Sequence, residues 1–186
     1  MIRPRLGFTL LEVMATLAVL AVLCALALPT LAGRMQHERL AGAAQALADD
    51  LTEARFEAAK RGHSFYVQAG SGTSAHDWCW AVATTPACDC AVAPGTDDGV
   101  SPCALKSVHA ADHAGVRMLT GWQARLDADG SLHGQGLDQG PGRGRGLTLS
   151  AAAGEQLRVQ ISPTGRTAVC LPSGALTAKL GRHTAC

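Results

Sequence analysis

The chain has 186 residues, of which 47% are hydrophobic and 17% charged, and 16 Lys and Arg stand against 15 Asp and Glu for a formal charge of +1. That length suits one domain with an appendage. The apolar content excludes wholesale disorder, and the near-neutral charge excludes a uniformly basic nucleic-acid binder.

The first seven residues, MIRPRLG, carry Arg3 and Arg5. Residues 13–33 read VMATLAVLAVLCALALPTLAG without a charge, and Leu17–Leu28 is an unbroken apolar run. Counted from Phe8, the stretch is long enough to cross the roughly 30 Å of hydrocarbon in a bilayer. It holds one acid, Glu12. The leader arginines keep the N-terminus in the cytoplasm and send the rest outward. Two plainer readings compete. ALALPTLAG offers small residues to a secretory signal peptidase, or the segment is a bare single-span anchor. Against signal cleavage, the basic region ends abruptly in Gly-Phe-Thr-Leu-Leu-Glu, and the apolar run passes straight into a polar helix.

Gly7-Phe8-Thr9-Leu10-Leu11-Glu12 resembles the type IV prepilin signature. The resemblance implies that a prepilin peptidase cuts between Gly7 and Phe8 and that Phe8 becomes N-methylated. Glu12 is then the fifth mature residue and Pro29 the twenty-second, where many pilins also have proline. A carboxylate in hydrocarbon costs several kcal/mol, so it needs a partner or a function. The freed amine of a neighbouring subunit is a natural partner, and the pair would set the axial register of a filament. The alternative is that Glu12 lies at the headgroup level and snorkels. Cys24 reads as an apolar filler in mid-membrane. Pro29 removes one helical hydrogen bond, which should bend or loosen the helix.

After Gly33 the chain turns polar but keeps helical spacing. Leu40, Ala44, Leu47, Leu51, Ala54 and Ala58 form one apolar stripe, and Arg34, Gln36, Glu38, Asp49, Asp50 and Glu53 occupy much of the remaining surface. Glu53 and Glu57 repel, whereas Glu57 and Arg61 attract. Gly62 is the expected stop. From Phe8 to Arg61 the helix would run about 80 Å. This sets the expected division: leader 1–7, transmembrane segment 8–33, exported amphipathic half 34–62, and a β-rich periplasmic head 63–186.

In the head, short runs between Gly, Pro and Asp read as strands: Ser64–Ala69, Trp78–Thr84, Gly115–Leu119, Trp122–Asp127, Gly146–Ser150, Gln156–Ser162 and Thr167–Leu171. Ser162-Pro163-Thr164-Gly165 is a turn joining the last two as a hairpin. Gln139–Gly146, QGPGRGRG, reads as a flexible loop unable to pack a core. Asp127-Ala128-Asp129-Gly130-Ser131 has the look of a calcium loop without its closing Glu, and reads as a tight turn. The seven histidines form no recurring ligand spacing; His109 and His113 could face one way on a helix, but the local pattern is mixed, so no zinc site is expected.

Cys24 aside, six cysteines fall in the exported part: Cys79, Cys88, Cys90, Cys103, Cys170 and Cys186. An oxidising periplasm favours disulfides, with the pairing open. Cys170 with Cys186 is preferred, because that bond would pin the C-terminal segment to the last hairpin. The other four would staple Cys79–Cys103. Zinc at Cys88-Asp89-Cys90 is the alternative, and its spacing is poor.

No nucleophile, metalloprotease or phosphate-loop pattern is present, so neither an enzyme nor a cofactor is expected. Charge is more informative. Residues 70–141 hold eight acids and three bases, net −5, whereas residues 142–186 hold six bases and one acid, net +5. The six are Arg143, Arg145, Arg158, Arg166, Lys179 and Arg182, a patch for phosphates, or else a solvated rim or a docking face for the acidic part of a neighbouring subunit.

Trp78–Val82, Gly121–Asp129 and Ile161-Ser162-Pro163-Thr164-Gly165-Arg166 resemble the head of the GspH/FimT family of minor pilins and pseudopilins. The resemblance implies an α+β, pilin-like fold, a long N-terminal helix packed on a β-rich head. It implies a structural subunit that primes or caps a type II secretion pseudopilus or a type IV pilus. Its partners would be other pilins, the prepilin peptidase, the inner-membrane assembly platform and, before assembly, membrane lipid. Some FimT-like members resemble DNA-uptake receptors and carry a C-terminal Gly-Arg-x-Arg. Here Gly165-Arg166-Thr167-Ala168 lacks the second arginine, and Gly142-Arg143-Gly144-Arg145 precedes the final hairpin. DNA binding in transformation is therefore the first alternative, and a plain membrane-anchored periplasmic protein the second.

Overall fold

A computed structural model describes residues 9–70, 77–86, 88–90, 101–102, 105–119, 121–135, 145–162, 164–172 and 183–186. The chain divides into two units, Met1–Met35 and Gln36–Cys186. One helix, α1 (Leu10–Arg61), contributes to both. Its assignment runs unbroken through position 29. It ends where expected, at Gly62, whose φ of +66° is a backbone state that glycine adopts without strain.

In the second unit, eleven short strands follow among the described residues: β1 (Phe65–Gly70), β2 (Cys79–Ala83), β3 (Cys88–Asp89), β4 (Ser101–Pro102), β5 (Lys106–His109), β6 (Val116–Met118), β7 (Trp122–Leu126), β8 (Leu132–Gln135), β9 (Arg145–Ala151), β10 (Gln156–Ile161) and β11 (Thr167–Cys170). They make a five-stranded antiparallel sheet in the order β5-β2-β1-β7-β8 and a four-stranded one in the order β11-β10-β9-β6. β3 and β4 form a parallel pair. A 3-10 turn, Ala110–His113, links β5 towards β6.

The seven strands expected from sequence all form, each within one residue of the expected ends. β5 and β8 escaped the reading for a physical reason. KSVH and LHGQ show little apolar alternation, and both strands are recruited to sheet edges by backbone pairing. The Asp127–Ser131 segment is indeed a tight turn, closed by Gly130 N to Asp127 O at 2.9 Å, and it makes the β7–β8 hairpin. Of the loop expected over 139–146, residues 139–144 lie outside the described residues, and its last two positions need correction. Arg145 and Gly146 belong to β9, and Gly146 is buried in it. A Cβ there would stand 2.6 Å from the Val159 carbonyl and 2.9 Å from Arg158 Nε, so glycine is what lets the strand pack.

One core joins helix and sheets. The predicted stripe Leu40, Ala44, Leu47, Leu51, Ala54 and Ala58 is buried throughout, against Phe65, Val67, Trp80, Leu126, Leu149 and Val159. Alternation does the sorting. In β7, Trp122, Ala124 and Leu126 point inward while Gln123 and Arg125 stay exposed. β2 is buried on both faces, because the segment after it folds back over Cys79, Ala81 and Ala83.

Candidate functional site

The first unit is organised by its amino acids alone. Leu10–Ala27 has a mean hydropathy of 2.5, and none of it is buried within the structure. Leu10 is 81% exposed and Leu11 79%. Such a surface is stable only in lipid or against other apolar surfaces. Thr9 starts the helix: its carbonyl accepts the Glu12 and Val13 amides at 3.1 and 3.2 Å, and its hydroxyl lies 3.3 Å from the Glu12 amide. Thr9-x-x-Glu12 has the residue pattern of a capping box, a role for Thr9 that the sequence reading missed although the pattern was visible. The Glu12 side chain is exposed, and among the described residues it has no cationic partner. Cys24 is a free, exposed thiol. Gly7 and Phe8 lie outside the described residues.

The second unit carries its polar chemistry on and beside the helix. Asp50, assigned from sequence to the polar surface, is only 3% exposed. Its Oδ2 accepts Trp80 Nε1 at 2.8 Å, and its Oδ1 accepts the Lys106 ammonium. That hydrogen bond raises the lysine above its ordinary 10.5, against the opposing pull of burial. A cavity of about 260 Å³ opens beside the pair, walled by Glu53, Glu57, Phe65, Val82 and Leu105. Glu57 bonds Arg61 Nε at 2.6 Å and Lys60 Nζ at 3.2 Å, and these bonds, the arginine's first, hold its carboxyl below the ordinary 4.5. Trp78 stacks on Trp80 at 5.3 Å and donates its Nε1 to the Val116 carbonyl at 2.7 Å. Sequence reasoning missed this Asp50–Trp80–Lys106 group, since its members come from three separate elements.

Cys79 is bonded to Cys90 and Cys170 to Cys186, and Cys88 is also disulfide-bonded. Zinc at Cys88 and Cys90 is thereby overturned, since neither offers a thiolate. Cys103 lies outside the described residues. The second bond anchors a short bridge in which Leu171 N meets Thr184 O and Cys186 N meets Leu171 O, both at 2.9 Å. Among the described residues, no three His, Cys, Asp or Glu side chains converge as metal ligands.

Of the six basic residues expected to form a patch, the structure removes one, Arg158. Arg158 is 3% exposed, packed over Gly146 within the sheet, and a buried guanidinium presents nothing to a phosphate. Arg166 is exposed at the β10–β11 turn, its amide bonded to Ser162 Oγ at 2.9 Å. Arg145 lies in β9, paired with Ile161. Arg143, Lys179 and Arg182 lie outside the described residues.

The model of the family described as type II transport protein GspH matches residues 43–165. The prokaryotic N-terminal methylation motif matches residues 2–28. Among solved structures, the chain is similar to the type IV minor pilin FimU of Pseudomonas aeruginosa in two crystal forms. One is 18% identical, covers 72% of this chain and 89% of that one, and has a TM-score of 0.46. The other is 18% identical, covers 70% and 91%, and has a TM-score of 0.44. No curated protein matches the chain.

Proposed function

This chain belongs to the GspH family of type II transport proteins, and from that we propose how it works as a minor pseudopilin or minor pilin, a structural subunit without catalytic activity. The observation that carries the reading is the bare Leu10–Ala27 surface at the start of a helix whose later turns pack into a folded head. Before assembly this surface sits in the inner membrane, with the N-terminus in the cytoplasm and the head in the periplasm. The prepilin peptidase cuts after Gly7 and methylates Phe8. The assembly platform then transfers the helix from lipid to a bundle of similar helices. Lipid tails and leucine side chains are equally apolar, so the transfer costs little hydrophobic energy. The 8–33 segment is thus the membrane and filament anchor, 34–62 the helical support of the head, and 63–186 the head itself.

Glu12 supplies the register. A carboxylate moving into an apolar bundle is costly unless it meets a cation, and the new amine of the neighbouring Phe8 is the nearest candidate in a staggered stack. A subunit one step out of register would bury both charges unpaired. The test has two parts. The mature protein should lack seven residues and carry one added methyl group by mass measurement. Glu12→Ala should be processed normally yet fail to enter the filament. An unprocessed N-terminus, or full incorporation of Glu12→Ala, would refute the proposal.

A further inference from the structure

Two buried polar atoms face each other near the start of the second unit. His37 Nδ1 on α1 lies 3.7 Å from Glu155 Oε2, and among the described residues neither atom has a hydrogen-bond partner or reaches solvent. The two side chains are mostly covered, with 17% and 16% of their surfaces exposed. His37 stands just ahead of Leu40, the first residue of the buried stripe. Glu155 closes the turn between β9 and β10. That turn is well fixed. Gly154 N donates to the Ala151 carbonyl at 3.0 Å and Ala151 N to the Glu155 carbonyl at 2.8 Å. Gly154 supplies the φ of +88° that the turn requires.

Protonation decides what this contact is. The separation is too long for a hydrogen bond and short enough for an ion pair. A carboxylate only accepts, and an imidazole without a proton on Nδ1 accepts there too. Two acceptors then meet in a dry gap, an arrangement that native interiors rarely keep. The neutral tautomer with its proton on Nδ1 supplies a donor but leaves the carboxylate's charge uncompensated. The imidazolium supplies both donor and charge, and an imidazole is the ordinary side chain that gains charge between about pH 5 and 8.

Other charges nearby do not stand in for that proton. Within a turn of His37, α1 carries Arg34, Glu38 and Arg39, all exposed. The Ala151–Gln156 turn holds no charge besides Glu155. On β10, Arg158 is packed over Gly146, and on β6, Arg117 stands opposite Ser150 and is exposed.

We propose that His37 and Glu155 form a proton-operated latch between α1 and the β9–β10 turn, closed when the imidazole is protonated and open when it is neutral. Closure shortens the gap by about 1 Å, to hydrogen-bond length. The sign follows from the charge states. The latch stabilises the head while the imidazole is charged and the carboxylate ionised, and that contribution is lost as rising pH removes the imidazole's proton. The head therefore grips its helix more firmly in mildly acidic than in mildly alkaline surroundings. This device needs only the folded second unit and stands apart from the filament reading.

The test uses the full chain in detergent micelles, melted at about pH 5.5 and about pH 8. Other histidines titrate over the same range, so the reading is a difference between proteins. On acidification the wild type should gain about 2–4 °C more in melting temperature than His37→Gln or Glu155→Gln. Both substitutions together should remove no more of that gain than either alone. His37→Lys carries its charge at both pH values, and should show at about pH 8 the stability that the wild type reaches only at about pH 5.5. Hydrogen exchange at the Ala151 and Gly154 amides, corrected for intrinsic rate, should slow about threefold on acidification in the wild type and stay level in the glutamine variants. An equal pH response in the wild type and both glutamine variants would overturn the latch. So would a response that survives in Glu155→Gln but not in His37→Gln, because it would give His37 a different partner.

Discussion

Trp80 donates its indole N–H to Asp50 at 2.8 Å, joining the inner face of β2 to the buried side of α1. Removing the acid strands a buried donor and leaves Lys106 without its counter-ion. Asp50→Ala should therefore destabilise the head by about 2–4 kcal/mol, and Asp50→Asn, which can still accept from Trp80, by about half as much. Urea unfolding followed by tryptophan fluorescence checks both. Equal losses in the two variants would show that the charge pairing with Lys106, and not the acceptor oxygen offered to Trp80, carries the stability.

The same pair gives stability a pH dependence at the alkaline end. Asp50 raises the Lys106 ammonium above 10.5 in the folded state. A raised lysine contributes stability that is fully present below its unfolded value. That contribution is lost as pH rises through the folded value. Thermal melting should therefore fall between about pH 10 and 12 more steeply in the wild type than in Lys106→Met. Parallel curves for the two proteins would rule the pair out as the cause.

The Cys170–Cys186 bond closes a 16-residue separation and holds the last residues on β11. Cys186→Ser should lower stability by about 3 kcal/mol, chiefly by releasing the unfolded chain. Hydrogen exchange should become faster at the Leu171 and Cys186 amides, which the bridge protects. Exchange unchanged there would mean that the bridge stands without its covalent tie.

Two glycines separate conformational strain from crowding. Gly62 has φ +66° and open space where a Cβ would stand. Gly165 has φ +74°, and its Cβ would lie 2.8 Å from the Gly130 carbonyl and 2.9 Å from Arg55 Cδ. Gly62→Ala should cost about 1 kcal/mol, the backbone penalty alone. Gly165→Ala should cost about 2–3 kcal/mol, because it also pushes apart two turns that meet at Arg55. Chemical denaturation of both variants measures the difference.

Local chemistry wrote a good deal of this protein directly into the order of its residues. Helical spacing marked Leu40 to Ala58 as the buried stripe, Gly62 marked the stop, and short runs bounded by Gly, Pro and Asp located seven strands within one residue of their ends. The Gly7–Glu12 motif and the apolar run behind it pointed to the prokaryotic N-terminal methylation motif that matches residues 2–28. These features follow from near neighbours: the period of a backbone, the φ of a glycine, the hydropathy of a run. What tertiary structure alone decided involves partners distant in sequence. β5 and β8 form because an edge strand needs backbone partners more than an apolar face. Asp50 is buried, although acidic and flanked by Asp49, because β2 and β5 bring Trp80 and Lys106 to it. Arg158 leaves the basic patch because Gly146 makes room for it inside the sheet, and Arg125 joins Tyr66 and His133 because three strands align. Burial and charge pairing depend on what folding brings close, and the residue order does not itself contain those distances.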